Sequence, residues 1–166
     1  MPASDQGVNF DRYMVVPRTL IFLTRGEKVL LLKGAQNKRL WAGLYNGIGG
    51  HIEKGEDVIS AARRELFEET GLTSPTLMLH GIITVDTQVN PGVCIFIFKG
   101  ESSEGKPKLT TEGTLEWIIP ADISHLPCVP DLPLLLPKIV NHQPGSPLLY
   151  GHTSYDIDGK MVINFP

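Results

Sequence analysis

The segment GGHIEKGEDVISAARRELFEETGL, residues 49–72, restricts this chain's fold more than any other stretch. Fenced by glycines, it crowds Glu53, Glu56, Asp57, Glu65, Glu68 and Glu69 among Lys54, Arg63 and Arg64. Over residues 57–70 the apolar spacing is helical, with Val58, Ile59, Ala62, Leu66 and Phe67 broadly on one side. Gly71 stands where a left-handed residue ends a helix. Glu65 and Glu69 are one turn apart and Glu68 is three residues from Glu65, so these carboxylates gather away from the apolar stripe. Each like-charged pair at that spacing costs a few tenths of a kcal/mol. The repetition demands compensation. Arg64 can reach Glu68 one turn on, and a divalent cation would account for the rest. Magnesium prefers oxygen ligands and commonly joins one or two carboxylates to a substrate's phosphates. The competing reading is a solvated helix face laced with ion pairs.

Around this segment the chain alternates strands and helices. "YMVVPRTLIFLTR" and "EKVLLLKG" read as a hairpin turning at Gly26 and Glu27, with Pro17 marking an edge or a bulge. Residues 34–50, rich in glycine and holding Trp41 and Tyr45, read as a loop. "HGIITVDTQV" and "GVCIFIFKG" form a second strand pair across "NPG". "LEWIIPADI" reads as a strand leading to a loop, and "LPLLLPKIV" as a short helix begun by Pro133. "YDIDGKMVINF" carries Asp158-Gly159 between alternating residues, a hairpin signal. This order predicts an α/β fold with a mixed sheet.

Composition narrows the class. A chain of 166 residues that is 42% hydrophobic fits one compact domain over 1–166. A net charge of −3 argues against a general polyanion binder, so no nucleic-acid polymer is expected as a partner, and phosphate chemistry must be local. Cys94 and Cys128 are too few and too far apart for a disulfide framework and read as buried thiols. No basic n-region opens the sequence and no apolar run reaches about 18 residues. A cytoplasmic location and no membrane partner are the expectation. Oligomeric state is left open.

The glycine and glutamate spacing resembles the Nudix hydrolases, whose signature runs Gly, five residues, Glu, seven residues, Arg-Glu, an aliphatic, any residue, Glu-Glu, any residue, Gly, an aliphatic. Gly50, Glu56, Arg64, Glu65, Leu66, Glu68, Glu69, Gly71 and Leu72 supply every fixed position. A chance match in this length has odds of roughly one in ten million or less, which favours the metal-site reading over a solvated face. The resemblance implies an α/β/α sandwich around a mixed sheet, and hydrolysis of a nucleoside diphosphate linked to a further moiety. It implies Mg2+, with Mn2+ as substitute, held by Glu65, Glu69 and the carbonyl of Gly49. Glu68 would contact metal or its water, Glu56 would support the metal shell, and Arg64 would hold the glutamates in position. In "TEGTLEW", Glu112 falls where related enzymes carry an extra carboxylate facing the metals. Glu65, Glu68 or Glu112 would take the proton of the attacking water.

For the nucleotide, "LYNGIGG" resembles the branch that clears oxidised purine nucleoside triphosphates such as 8-oxo-dGTP. There an asparagine at the place of Asn46 reads the base edge, and an aspartate stands at the place of Asp131. An amide presents one acceptor and two donors, which suits a purine. Asn46-Gly47 also reads as a plain turn. Trp41 is a stacking platform or a core anchor. Several residues depart from that branch: Tyr45 replaces a tryptophan, His51 a lysine, and Leu132 a second acid. Two alternatives accompany a triphosphate pyrophosphohydrolase. One is a hydrolase of ADP-ribose, a dinucleoside polyphosphate or a nucleotide sugar, and the other is a catalytically silent binding module.

Overall fold

The structure is a computed structural model that describes residues 2–9, 11–102 and 104–166. Among these, a single mixed sheet is built from β1 (Val15–Arg25), β2 (Lys28–Gly34), β3 (Tyr45–Asn46), β4 (Met78–Val85), β5 (Gly92–Glu101), β6 (Gly113–Ile118), β7 (Leu149–Tyr155) and β8 (Met161–Asn164). The order is β3-β2-β1-β5-β4-β7-β8, with β6 also paired to β2. The β1–β5 and β4–β7 pairs are parallel, and the others are antiparallel. Two helices, α1 (Val58–Thr70) and α2 (Leu132–Val140), cover opposite faces.

Near-continuous apolar runs in β1 and β2 follow from burial on both faces. Phe22, Val29 and Leu31 pack toward α2, against Leu132, Leu135, Leu136 and Ile139. Their sequence neighbours Ile21, Leu23 and Leu30 pack toward α1, against Ala62 and Leu66. The strand period of two thus sends alternate residues into separate cores. Each fully buried Leu or Ile contributes about 1.5–3 kcal/mol. Pro17 is neither bulged nor at an edge. It pairs in register with Cys94 of β5, and its carbonyl accepts from the Ile52 N–H at 3.2 Å on the other side. A residue's N and C=O share one side of a strand, so the missing donor of Pro17 faces the 50–52 segment and the β1–β5 ladder loses nothing.

Helix α1 is capped at both ends. The Asp57 carboxylate accepts from the Ile59 and Ser60 amides at 3.0 and 2.9 Å, and Gly71, at φ 71°, donates to Phe67 O at 2.8 Å. Phe67 departs from expectation by facing solvent at 57% exposure. It lies about 100° past Leu66 around the helix, off the stripe that buries Ala61, Ala62, Leu66 and Thr70. Helix α2 begins at Leu132, one residue before the proline expected to open it. The 34–50 loop contains the short strand β3, and both cysteines are half-buried at the margins of the core, not buried within it. The Asp158-Gly159 hairpin forms, with the Asp156 N–H donating to Lys160 O at 2.9 Å. No described helix is long and apolar enough to cross a membrane.

Candidate active site

With its apolar stripe docked, α1 turns its carboxylates toward the turn that joins β3 to the helix. Arg64 organises them. Its Nε and Nη2 donate to the two Glu56 oxygens at 2.6 and 2.9 Å, and Nη1 donates to Glu65 Oε1 at 2.9 Å and Glu68 Oε2 at 3.0 Å. Nη2 also reaches His51 O at 3.1 Å, which ties the helix to the turn. The Arg64 guanidinium holds the Glu56 carboxyl below the usual range, and the Arg64 pKa itself is raised by these carboxylates, Glu56 foremost.

Two glycines let the turn approach the helix. A Cβ on Gly50 would lie 2.5 Å from Glu65 Oε1, and one on Gly49 would collide with the Thr19 carbonyl. Gly49 also has φ 146°, which favours glycine. Its N–H bonds the Glu69 carboxylate, yet burial, followed by the charge of Glu65, pushes Glu69 up to about 7. Glu69 Oε2 is buried without a hydrogen-bond partner. A buried carboxylate oxygen left unpaired is costly, and a divalent cation answers that deficiency. These oxygens therefore fit magnesium chemically. Among the described residues no group of three or more His, Cys, Asp or Glu converges as a ready-made cage, because Arg64 draws Glu56, Glu65 and Glu68 to itself.

Glu112, in the turn before β6, is ion-paired to Lys38 from the 35–44 loop. The Lys38 charge lowers the Glu69 pKa and that of Glu112 raises it, so both act on the same carboxylate group.

Beside this cluster opens a cavity of about 550 Å³. Trp41, Asn46, Gly49 and Asp131 all line it, and the cavity's Gly49 wall joins it to the glutamates. The Asn46 side chain fits both sequence readings: Oδ1 accepts from the Gly47 N–H at 2.8 Å, as in a turn, while the residue faces the cavity. Asp131 precedes α2 without capping it, and burial raises its pKa. Trp41 is 44% exposed in the left-handed region at φ 61°, on a turn closed by the Leu44 N–H to Trp41 O bond at 3.1 Å. It is a cavity residue and not a core anchor. Of the two aromatics in this loop, Tyr45 is the buried one, with Oη donating to Glu116 at 2.8 Å.

Sequence reasoning missed Arg18, Lys38, Arg39, Tyr155 and Met161, which also line the cavity. Only Arg18 left a signal, since strand alternation sets it on the face of Leu20 and Phe22. The β7–β8 hairpin reaches the cavity through pairing with β4, which no local pattern announces.

A NUDIX domain model matches residues 14–138. This chain belongs to the Nudix family. As a Nudix hydrolase it acts on phosphoric anhydride bonds. It is 36% identical over 110 residues to the oxidized purine nucleoside triphosphate hydrolase of Danio rerio, a match covering 66% of this chain and 67% of that protein. The Mus musculus protein of the same name is 33% identical over 125 residues, covering 72% and 79%. Among solved structures, the MutT protein from Bacillus halodurans superposes with a TM-score of 0.74 at 25% identity, covering 91% of this Nudix chain and 97% of the other.

Proposed function

We propose that this Nudix hydrolase is a Mg2+-dependent pyrophosphohydrolase that cleaves nucleoside triphosphates between the α and β phosphorus atoms, with oxidised purines such as 8-oxo-dGTP preferred. The observation that carries it is the shared cavity: Asn46 and Asp131 line one space that meets the glutamate cluster at Gly49. The names of the Danio rerio and Mus musculus relatives point the same way.

Glu65, Glu69 and the Gly49 carbonyl are the residues to hold magnesium, with Glu56, Glu68 and Glu112 around them. When bound, the ion neutralises phosphate oxygens and lowers the pKa of water. Arg64 fixes Glu65 and Glu68 from one side while Lys38 fixes Glu112 from the other. Each of these three carboxylates is a candidate for accepting the water's proton. Asn46 and Asp131 orient the base, and Trp41 offers a face for stacking.

The test is a nucleotide panel assayed for pyrophosphate and phosphate release. Pyrophosphate and a monophosphate are expected, with the highest kcat/KM for an oxidised purine. Phosphate as the sole first inorganic product would refute the cleavage site. Arg18 and Arg39 on the cavity wall favour a second reading, a hydrolase of ADP-ribose, a dinucleoside polyphosphate or a nucleotide sugar. Higher kcat/KM for one of those compounds would select it.

A further inference from the structure

The cavity wall carries positive charge that no step above uses. Arg18 and Arg39 both line it, and neither side chain has a hydrogen-bond or ion-pair partner among the described residues. Lys38, beside Arg39, is already paired with Glu112. The backbone fixes where Arg18 stands. Arg18 bridges His51, and the next N–H, of Thr19, donates to Gly50 O at 2.8 Å, which sets Arg18 against the Gly49–Gly50 turn. Arg39 directly follows Lys38, whose ion pair with Glu112 ties the 35–44 loop to the turn before β6. Both line the same cavity as Asn46, Asp131 and Gly49, the space that a nucleotide reaching from the base site to the glutamate cluster would cross with its phosphates.

Charge makes this placement consequential. Without a cation, Glu65, Glu69 and Glu112 repel a phosphate chain. Guanidinium groups counter that repulsion, because their planar fork matches phosphate oxygens and never deprotonates. Resting on the nucleotide-hydrolase reading, we propose that Arg18 and Arg39 form an anion subsite that grips the substrate's phosphate chain from the cavity side and works without the divalent cation. A phosphorylated nucleotide then docks before the metal completes the site.

Calorimetry in EDTA with inorganic pyrophosphate, at low and high salt, tests this directly. Wild type is expected to bind, more weakly as salt rises. Arg18→Gln and Arg39→Gln should each lose about tenfold in affinity. Lys28→Gln, the same charge change at the β1–β2 turn, should lose nothing. Melting temperatures within about 2 °C of wild type would show that the variants fold. With magnesium and a triphosphate, the arginine variants should raise KM more than they lower kcat. No pyrophosphate binding by wild type in EDTA, or an equal loss in Lys28→Gln, overturns the subsite. Equal kcat/KM for 8-oxo-dGTP and dGTP would defeat base selection by Asn46 and Asp131 and leave the pyrophosphate result standing.

Discussion

Glu69 lies one turn beyond Glu65 on α1, and burial together with the Glu65 charge drives its carboxyl up to about 7. Because the folded pKa exceeds the ordinary carboxylate value, its stabilising protonation is complete below about 4.5 and is lost as pH rises through 7. Metal-free protein at pH 8 thus carries a buried charge costing about 3 kcal/mol. Glu69→Gln should raise the Tm of chelated protein at pH 8, leave it nearly unchanged at pH 5, and lower turnover with magnesium by orders of magnitude. Magnesium should raise the Tm of wild type at pH 8 and do little for the variant. Full activity in Glu69→Gln would remove Glu69 from the metal site.

The His80–His142 pair, outside the active site, predicts acid sensitivity. Their Nδ1 atoms are 2.9 Å apart, and His142 Nε2 lies 2.8 Å from the Pro147 carbonyl. His142 therefore donates from Nε2, and its Nδ1 accepts from His80. Burial, then the nearby Lys99 and His142, lowers His80 to about 4. A depressed folded pKa contributes no penalty above about 6.5, and stability falls as pH drops from there to 4, by about 1.4 kcal/mol per unit from this group. In His80→Gln, the decline in unfolding free energy between pH 6.5 and 4.5 should be shallower than in wild type. Parallel curves would show that His80 titrates normally.

Base selection is tested by Asn46→Ala and Asp131→Ala. If both read a purine edge, each should narrow the kcat/KM ratio of 8-oxo-dGTP to dGTP by about 5-fold to 150-fold, equivalent to about 1–3 kcal/mol. The two effects are expected to combine non-additively, because both side chains contact one ligand. An equal fall for every nucleotide, with a lower Tm, would make Asn46 a turn residue, consistent with its Oδ1 bond to Gly47.

Docking of α1 should be measurable by truncation. Leu66 is 1% exposed between the glutamates and the sheet. Leu66→Ala should cost about 2–5 kcal/mol in denaturant unfolding. Asp57→Ala, which removes the cap, should cost about 1 kcal/mol.

What the sequence by itself determined is the local part of this protein. The helix over 58–70, its Asp57 and Gly71 ends, and the glutamates' common side follow from periods and capping preferences that act within a few residues. The two-faced burial of β1 and β2 was foreshadowed by their unbroken apolar runs. Phe67 went the other way because a helical stripe has a width, and only the packed sheet decided where its edge fell. Tertiary structure alone decided the cavity. Arg18, Arg39, Asn46, Asp131 and Tyr155 meet there through strand pairings and loop placements that join segments from both ends of the chain. It also decided the state of Glu69, since burial and a neighbour's charge, not residue type, set its carboxyl near neutrality and left one oxygen without a partner.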